Sequence, residues 1–149
     1  MWSVVILAAG YGTRLARDIA ADPSVDQRLA AKPKALLPVQ GVPLVDHWLR
    51  HLHAAGLSAD HLYVITNGLF HLQFAEWAAT RGIPEENVVS NGTRSNDTRL
   101  GASGDLALLL RQKADALAGR NLLVIAGDTL FYEDFNLAAF LAALPVGDL

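Results

Sequence analysis

Gly10, Gly12, Thr13 and Arg14 stand together in the stretch LAAGYGTRL, directly after the apolar run WSVVI. Glycines at such a point let the chain turn tightly or let a ligand approach its backbone. Together the four residues offer backbone N–H groups, a hydroxyl donor and a guanidinium fork, a donor set that suits a polyphosphate. They equally fit an ordinary strand-to-helix turn carrying a surface arginine. A dinucleotide loop of the G-x-G-x-x-G kind fails at its last position, where Leu15 stands, and no G-K-[ST] follows to complete a phosphate loop. A second point of interest is Asp128, in VIAGDTLF: a carboxylate that holds a hard cation such as Mg²⁺ or simply caps a turn.

The elements that must position these residues alternate. Residues 2–9 form a continuous apolar run, the pattern of a strand covered on both faces. Residues 22–34 are polar and read as loop, and Pro38 keeps the short extended piece ALLPV out of a central strand. A helix is expected from about Pro43 to Ala55, a strand over HLYVIT, and a helix over residues 69–80. There follow a short strand NVVS, a polar loop 91–99 and a helix from about Ser103 to Leu117. The strand NLLVIA and a last helix over 135–144 complete the order, with Glu133 and Asp134 expected to begin that helix. This order predicts one α/β domain over residues 1–149: a three-layer α/β/α sandwich with a mainly parallel sheet. Ligands of such sheets bind beyond the carboxyl ends of the strands, and the glycine loop, the 91–99 loop and Gly127-Asp128 can share that rim.

Composition narrows the function classes. At 149 residues and 52% hydrophobic the chain can bury a real core and is not a disordered segment. No apolar run approaches the roughly 20 residues of a membrane span, and no basic region precedes the first apolar stretch. With no cysteine, disulfides, thiol nucleophiles and thiolate metal sites are excluded together. These features fit a cytoplasmic protein. A net charge of −3 gives no global attraction to nucleic acid, so any anion site is local. His47 and His51, spaced i, i+4, lack the acidic or thiol companions of a zinc site. They are expected on the side of their helix opposite Trp48.

Three landmarks in order carry a family resemblance. LAAGYGTRL (7–15), PKALLPV with GVPL (33–39 and 41–44) and VIAGDTLF (124–131) resemble the signature of the sugar-phosphate nucleotidyltransferases, a Rossmann-like fold. The resemblance runs from about residue 2 to residue 144, and its Thr-Arg-Leu ending points toward enzymes of sugar 1-phosphates. Phosphocholine cytidylyltransferases of this fold stay close. Two departures stand out: a longer spacer between Leu15 and Pro33, and an end at Leu149 where the family's catalytic domain continues. The resemblance therefore implies an incomplete C-terminal side, with acceptor residues and a second metal carboxylate beyond Leu149.

What the resemblance implies for chemistry is transfer of a nucleotidyl group from an NTP to a small phosphomonoester, with Mg²⁺ as cofactor. Arg14, Lys34 and Asp128 would be the catalytic residues, Asp128 holding the metal. Leu7, Ala8, Ala9, Gly10, Tyr11, Gly12 and Thr13 would line the nucleotide, and Asn91, Thr98 and Gly101 would read base and ribose. The bland readings are a solvated Lys34, a hairpin turn at Asn91-Gly92 and loop arginines at 94 and 99. A non-catalytic nucleotide-binding module is the competing class. The sequence is compatible with a homo-oligomer, and it names neither base nor acceptor.

Overall fold

The computed structural model of the chain describes residues 1–145. In chain order it contains β1 (Trp2–Ala8), α1 (Thr13–Ala21), a two-residue pair β2 (Pro38–Val39) and β3 (Val42–Pro43), and α2 (Leu44–Ala54). These are followed by β4 (Leu62–Thr66), α3 (His71–Ala79), β5 (Val88–Ser90), α4 (Gly101–Gln112), α5 (Ala114–Leu117), β6 (Asn121–Ala126) and α6 (Leu137–Ala143). The main sheet runs β5-β4-β1-β6, and every pairing in it is parallel.

The alternation of side chains along β1 explains why its sequence is apolar throughout. Val4, Ile6 and Ala8 face a core shared with Val45, Trp48 and Leu52 of α2, Phe74 and Trp77 of α3, and Leu137 of α6. Val5 faces the other way, with Tyr63 and Ile65 of β4, under Leu109 of α4. Helices therefore cover both faces, giving the three layers and the parallel sheet that the sequence pattern predicts.

Buried polar groups are few and paired. Asp46, 9% exposed, accepts from the Trp77 indole N–H at 2.8 Å and from the Arg81 guanidinium, tying α2 to the end of α3. That hydrogen bond to Asp46 holds the Arg81 pKa above its usual value. Arg120, just before β6, donates to the buried Ser3 hydroxyl at 2.6 Å and to the Trp2 carbonyl at 2.8 Å.

Several boundaries differ from the sequence reading. As Pro38 requires, PV pairs only with the adjacent VP, outside the main sheet. The polar 22–34 stretch contains a 3-10 turn, Gln27–Ala31, capped by Asp26, and ends where a second, Lys34–Leu36, begins. The Arg28 side chain holds the Asp26 carboxyl below the usual carboxylate range. Helix α4 starts at Gly101, not Ser103, because Gly101 adopts a left-handed φ of +75° that turns the loop into the helix. Helix α6 starts at Leu137 with Asn136 as its cap, so Glu133 and Asp134 lie in the loop before it rather than in its first turn.

Candidate nucleotide site

Strand β1 ends at Ala8, and the chain crosses the rim of the sheet through Gly10 and Gly12. Gly12 sits at φ +59° immediately before α1, a conformation that L side chains rarely adopt. A Cβ placed on Gly12 would lie 3.9 Å from the Lys34 Cβ, so the loop and the Lys34 segment are neighbours. Thr13 and Arg14 open α1, whose free N–H groups give this end of the helix a partial positive charge.

The loop is held from below by Asn67, directly after β4. This side chain is fully buried; its amide donates to the carbonyls of Ala9 at 3.1 Å and Gly10 at 3.3 Å, and its oxygen accepts from the Phe70 N–H at 2.9 Å. On the other side, Gly127 follows β6 and donates to the Leu7 carbonyl at 2.9 Å. A Cβ there would stand 3.1 Å from both that carbonyl oxygen and Ile6 Cγ2, so the turn carrying Asp128 lies flat against β1. The Trp48 indole N–H fastens the same turn by donating to the Thr129 carbonyl at 3.0 Å.

These elements surround a cleft of about 750 Å³. Ala8, Gly10, Gly12, Thr13, Arg14, Lys34 and Asp128 all line it, with Asp18 and Asn96 as further polar members. Lys34 Nζ lies 3.1 Å from Asp128 Oδ2, both side chains about half exposed. Arg14 has no ion pair or side-chain hydrogen bond among the described residues, so its guanidinium is available to an anion.

Other residues singled out in the sequence have different places. The Leu7 side chain packs with the second-face core, and Ala9 is buried over Asn67. Tyr11 turns away from the cleft: its hydroxyl is 2.7 Å from Thr93 Oγ1 and its ring lies near Phe70. Asn91, Thr98 and Gly101 do not line the cleft either. The Asn91 amide donates to Asp105 at 2.7 Å while its oxygen accepts from Thr93, and Thr98 Oγ1 donates to the Ser95 carbonyl at 3.0 Å. These side chains shape the 91–99 loop from within.

Three contributors escaped the sequence reading. Asp18 lies four residues after Arg14, a spacing that places both on one helix face and was legible. Asn67 follows a buried strand at the same rim, which was a positional signal only. Asn96 had no signal that separates it from Asn91. The histidine pair has ordinary packing roles. His47 Nε2 is 3.0 Å from the Val39 carbonyl oxygen, and the His51 ring meets Trp48 edge-on at 6.1 Å, so His51 is on the Trp48 side rather than opposite it. Among the described residues no three His, Cys, Asp or Glu side chains form a metal cluster, and no helix is long and apolar enough to cross a membrane.

The fold is thus an α/β domain with a parallel sheet, and a glycine-arginine loop, a lysine and a strand-end aspartate surround one cleft. The chain belongs to the family described as the MobA-like NTP transferase domain, whose profile matches residues 4–148. It is 32% identical over 147 residues to the bifunctional protein GlmU of Dinoroseobacter shibae, covering 97% of this chain and 27% of that protein. It is 30% identical over 139 residues to a protein of Sulfolobus acidocaldarius named as a mannose-1-phosphate guanyltransferase, covering 91% of this chain and 32% of the relative. The chain thus spans about a quarter to a third of these relatives. The crystal structure of apo UDP-glucose pyrophosphorylase shares the fold, with a TM-score of 0.53 and 19% identity over 95% of this chain and 54% of that one.

Proposed function

We propose that this domain transfers a nucleotidyl group from an NTP to a sugar 1-phosphate in an Mg²⁺-dependent reaction that releases pyrophosphate. The observation that carries the reading is the convergence of the glycine loop, Arg14, Lys34 and Asp128 on one cleft, with Lys34 and Asp128 94 positions apart in sequence. Membership of the NTP transferase family and the name of the Sulfolobus acidocaldarius relative, which gives a mannose-1-phosphate guanyltransferase, support it.

In this reaction an oxygen of the sugar phosphate attacks the α-phosphorus of the NTP. The bond from that phosphorus to the α,β-bridging oxygen breaks, and its electrons leave with pyrophosphate. A phosphomonoester has a second pKa of about 6, so at neutral pH it arrives mostly dianionic and needs no general base. The obstacle is repulsion: like unit charges about 4 Å apart repel by roughly 4 kcal/mol at an effective dielectric of 20. Arg14, at the positive end of α1, offsets this by binding the outer phosphates with Thr13 and the loop N–H groups. Lys34 neutralises charge nearer the reacting phosphorus.

Asp128 is the residue that would hold Mg²⁺. One carboxylate oxygen has no partner among the described residues, the other faces only Lys34, and the side chain borders the open cleft. That donor set suits a cation that keeps several waters and completes its shell with substrate phosphates. When bound, the ion supplies charge neutralisation to the phosphates.

A pyrophosphate-release screen of the four common NTPs against sugar 1-phosphates and phosphocholine, with and without Mg²⁺, tests the proposal. Release that requires both a sugar 1-phosphate and Mg²⁺ is the expected result. Release only with phosphocholine would move the acceptor to that class, and NTP binding with no transfer would make the domain a binding module.

A further inference from the structure

Resting on the nucleotide reading above, we infer that Asp105 of α4 is a positioning residue for the glycine loop, acting through a chain of side-chain hydrogen bonds that ends on Tyr11. Asp105 is 7% exposed, and no lysine or arginine pairs with it among the described residues. Burying a carboxylate without a counter-ion costs free energy, and here the group fixes one amide. Asn91 donates to Asp105 Oδ1 through its side-chain N–H at 2.7 Å. Asn91 is itself seated at the end of β4, where its backbone N–H donates to the Thr66 carbonyl at 2.8 Å.

The chain of bonds has a direction. With its amide nitrogen turned to Asp105, Asn91 presents Oδ1 to Thr93, accepting from the backbone N–H at 2.9 Å and from the hydroxyl at 2.8 Å. The Thr93 hydroxyl proton is thereby committed, so across the 2.7 Å contact Tyr11 is the donor. Without an acceptor at position 105 the Asn91 amide is free to turn over, which would set its nitrogen against the Thr93 N–H, donor against donor. Tyr11 stands between Gly10 and Gly12, and a Cβ on Gly10 would meet nothing within 4 Å. Beyond Gly10 the tip of the loop is thus held through Tyr11, in a segment whose glycines have the most conformational freedom to lose. Loop N–H groups fixed before a phosphate arrives bind it more tightly than groups that must first be ordered.

The test is a double-mutant cycle on Tyr11→Phe and Asp105→Ala, with Asp105→Asn as the conservative variant, since a carboxamide oxygen can still accept from Asn91. Titration calorimetry with Mg²⁺-pyrophosphate and with each of the four NTPs reads the site. Amide exchange at Gly10 to Gly12 reads the loop without a ligand, and thermal unfolding controls for folding. Asp105→Leu, which keeps the bulk without an acceptor, takes the place of Asp105→Ala should alanine unfold the chain. Tyr11→Phe and Asp105→Ala are each expected to weaken pyrophosphate and NTP binding about tenfold and to quicken exchange in the loop. The combined variant should lose no more than the more affected single one, because both break the same chain of bonds. Asp105→Asn should keep wild-type affinity and exchange. Wild-type affinity in both single variants, additive losses in the combined one, or equal losses in Asp105→Asn and Asp105→Ala would each overturn the inference while leaving the nucleotide site standing. Failure of the wild-type chain to bind pyrophosphate or any NTP would overturn the nucleotide reading and this inference together.

Discussion

Lys34 and Asp128, carried on separate segments, meet across the mouth of the cleft with Nζ 3.1 Å from Oδ2. Each is the other's counter-ion, and each is the residue proposed to serve a different part of the substrate. An exposed pair of this kind is worth only about 0–1 kcal/mol. The two groups can therefore part at little cost when phosphate takes the lysine and a divalent ion takes the aspartate.

That weak coupling makes Asp128→Asn informative. The variant should unfold within about 1 kcal/mol of wild type, since only an exposed ion pair is lost. Mg²⁺-dependent pyrophosphate release should fall to a small residue, because an amide cannot neutralise the cation. Wild-type turnover across an Mg²⁺ titration would place the metal elsewhere.

Arg14→Ala addresses the phosphates. Its guanidinium makes no internal bond among the described residues, so stability should be unchanged. NTP affinity should drop by about tenfold or more, in line with about 1.5–3 kcal/mol for a hydrogen bond to a charged group. NMP affinity should drop much less. Parallel losses for NTP and NMP, measured by calorimetry, would move Arg14 away from the outer phosphates.

Asn67→Ala should act through the scaffold. It strips the Phe70 N–H and the Ala9 carbonyl of their partner inside the protein, at a cost of about 1–3 kcal/mol. Urea unfolding should report that loss, and amide exchange at Gly10 to Gly12 should quicken more than exchange in β4. Unchanged stability would mean that water replaces the side chain and that the loop does not depend on it.

The two glycines nearest the rim strands separate fold from site. Gly127→Ala pushes a methyl to 3.1 Å from a β1 carbonyl oxygen and should destabilise the chain by about 1–3 kcal/mol. Gly10→Ala meets nothing within 4 Å and should leave unfolding unaltered. Any weakening of NTP binding by Gly10→Ala would then report close approach of a ligand to that backbone. If instead Gly127→Ala proves neutral in denaturant titrations, the turn bearing Asp128 is less tightly seated than its contacts indicate.

The fold is largely legible in the sequence because each central strand is covered on both faces. WSVVI and LYVIT are continuous apolar runs for that reason, whereas NLLVI lies on the edge strand β6, where Val124 is exposed. Helix ends are less legible. Asn136 caps α6 by accepting from the Ala139 N–H, a choice that Glu133 and Asp134, a few residues earlier, disguise. Within the cleft, Gly10, Gly12, Thr13 and Arg14 are contiguous and can be read directly. Asn67 cannot, since an asparagine after a strand looks like any turn residue until its amide is seen bridging two carbonyls of a distant loop. The choice between Asn91 and Asn96 depends on Asp105 and Thr93, whose side chains occupy the first and leave the second free; no local pattern records that.

The clasp between Tyr11 and Thr93 has an evolutionary consequence. It pins the beginning of the 91–99 loop to the glycine loop, while residues 94–98 stay largely at the surface and Gly101 re-enters a helix. Surface substitutions away from buried contacts change stability by about 0.5 kcal/mol or less. The tip of the loop is thus a nearly free site for variation, bracketed by fixed ends, with Asn96 its one residue lining the cleft among the described residues. A library randomised over residues 94–98 should keep its fold almost throughout while its members diverge in the nucleotide they prefer. On the proposed function, the architecture would let selection retune recognition at the loop tip without disturbing Gly10, Gly12 and Arg14.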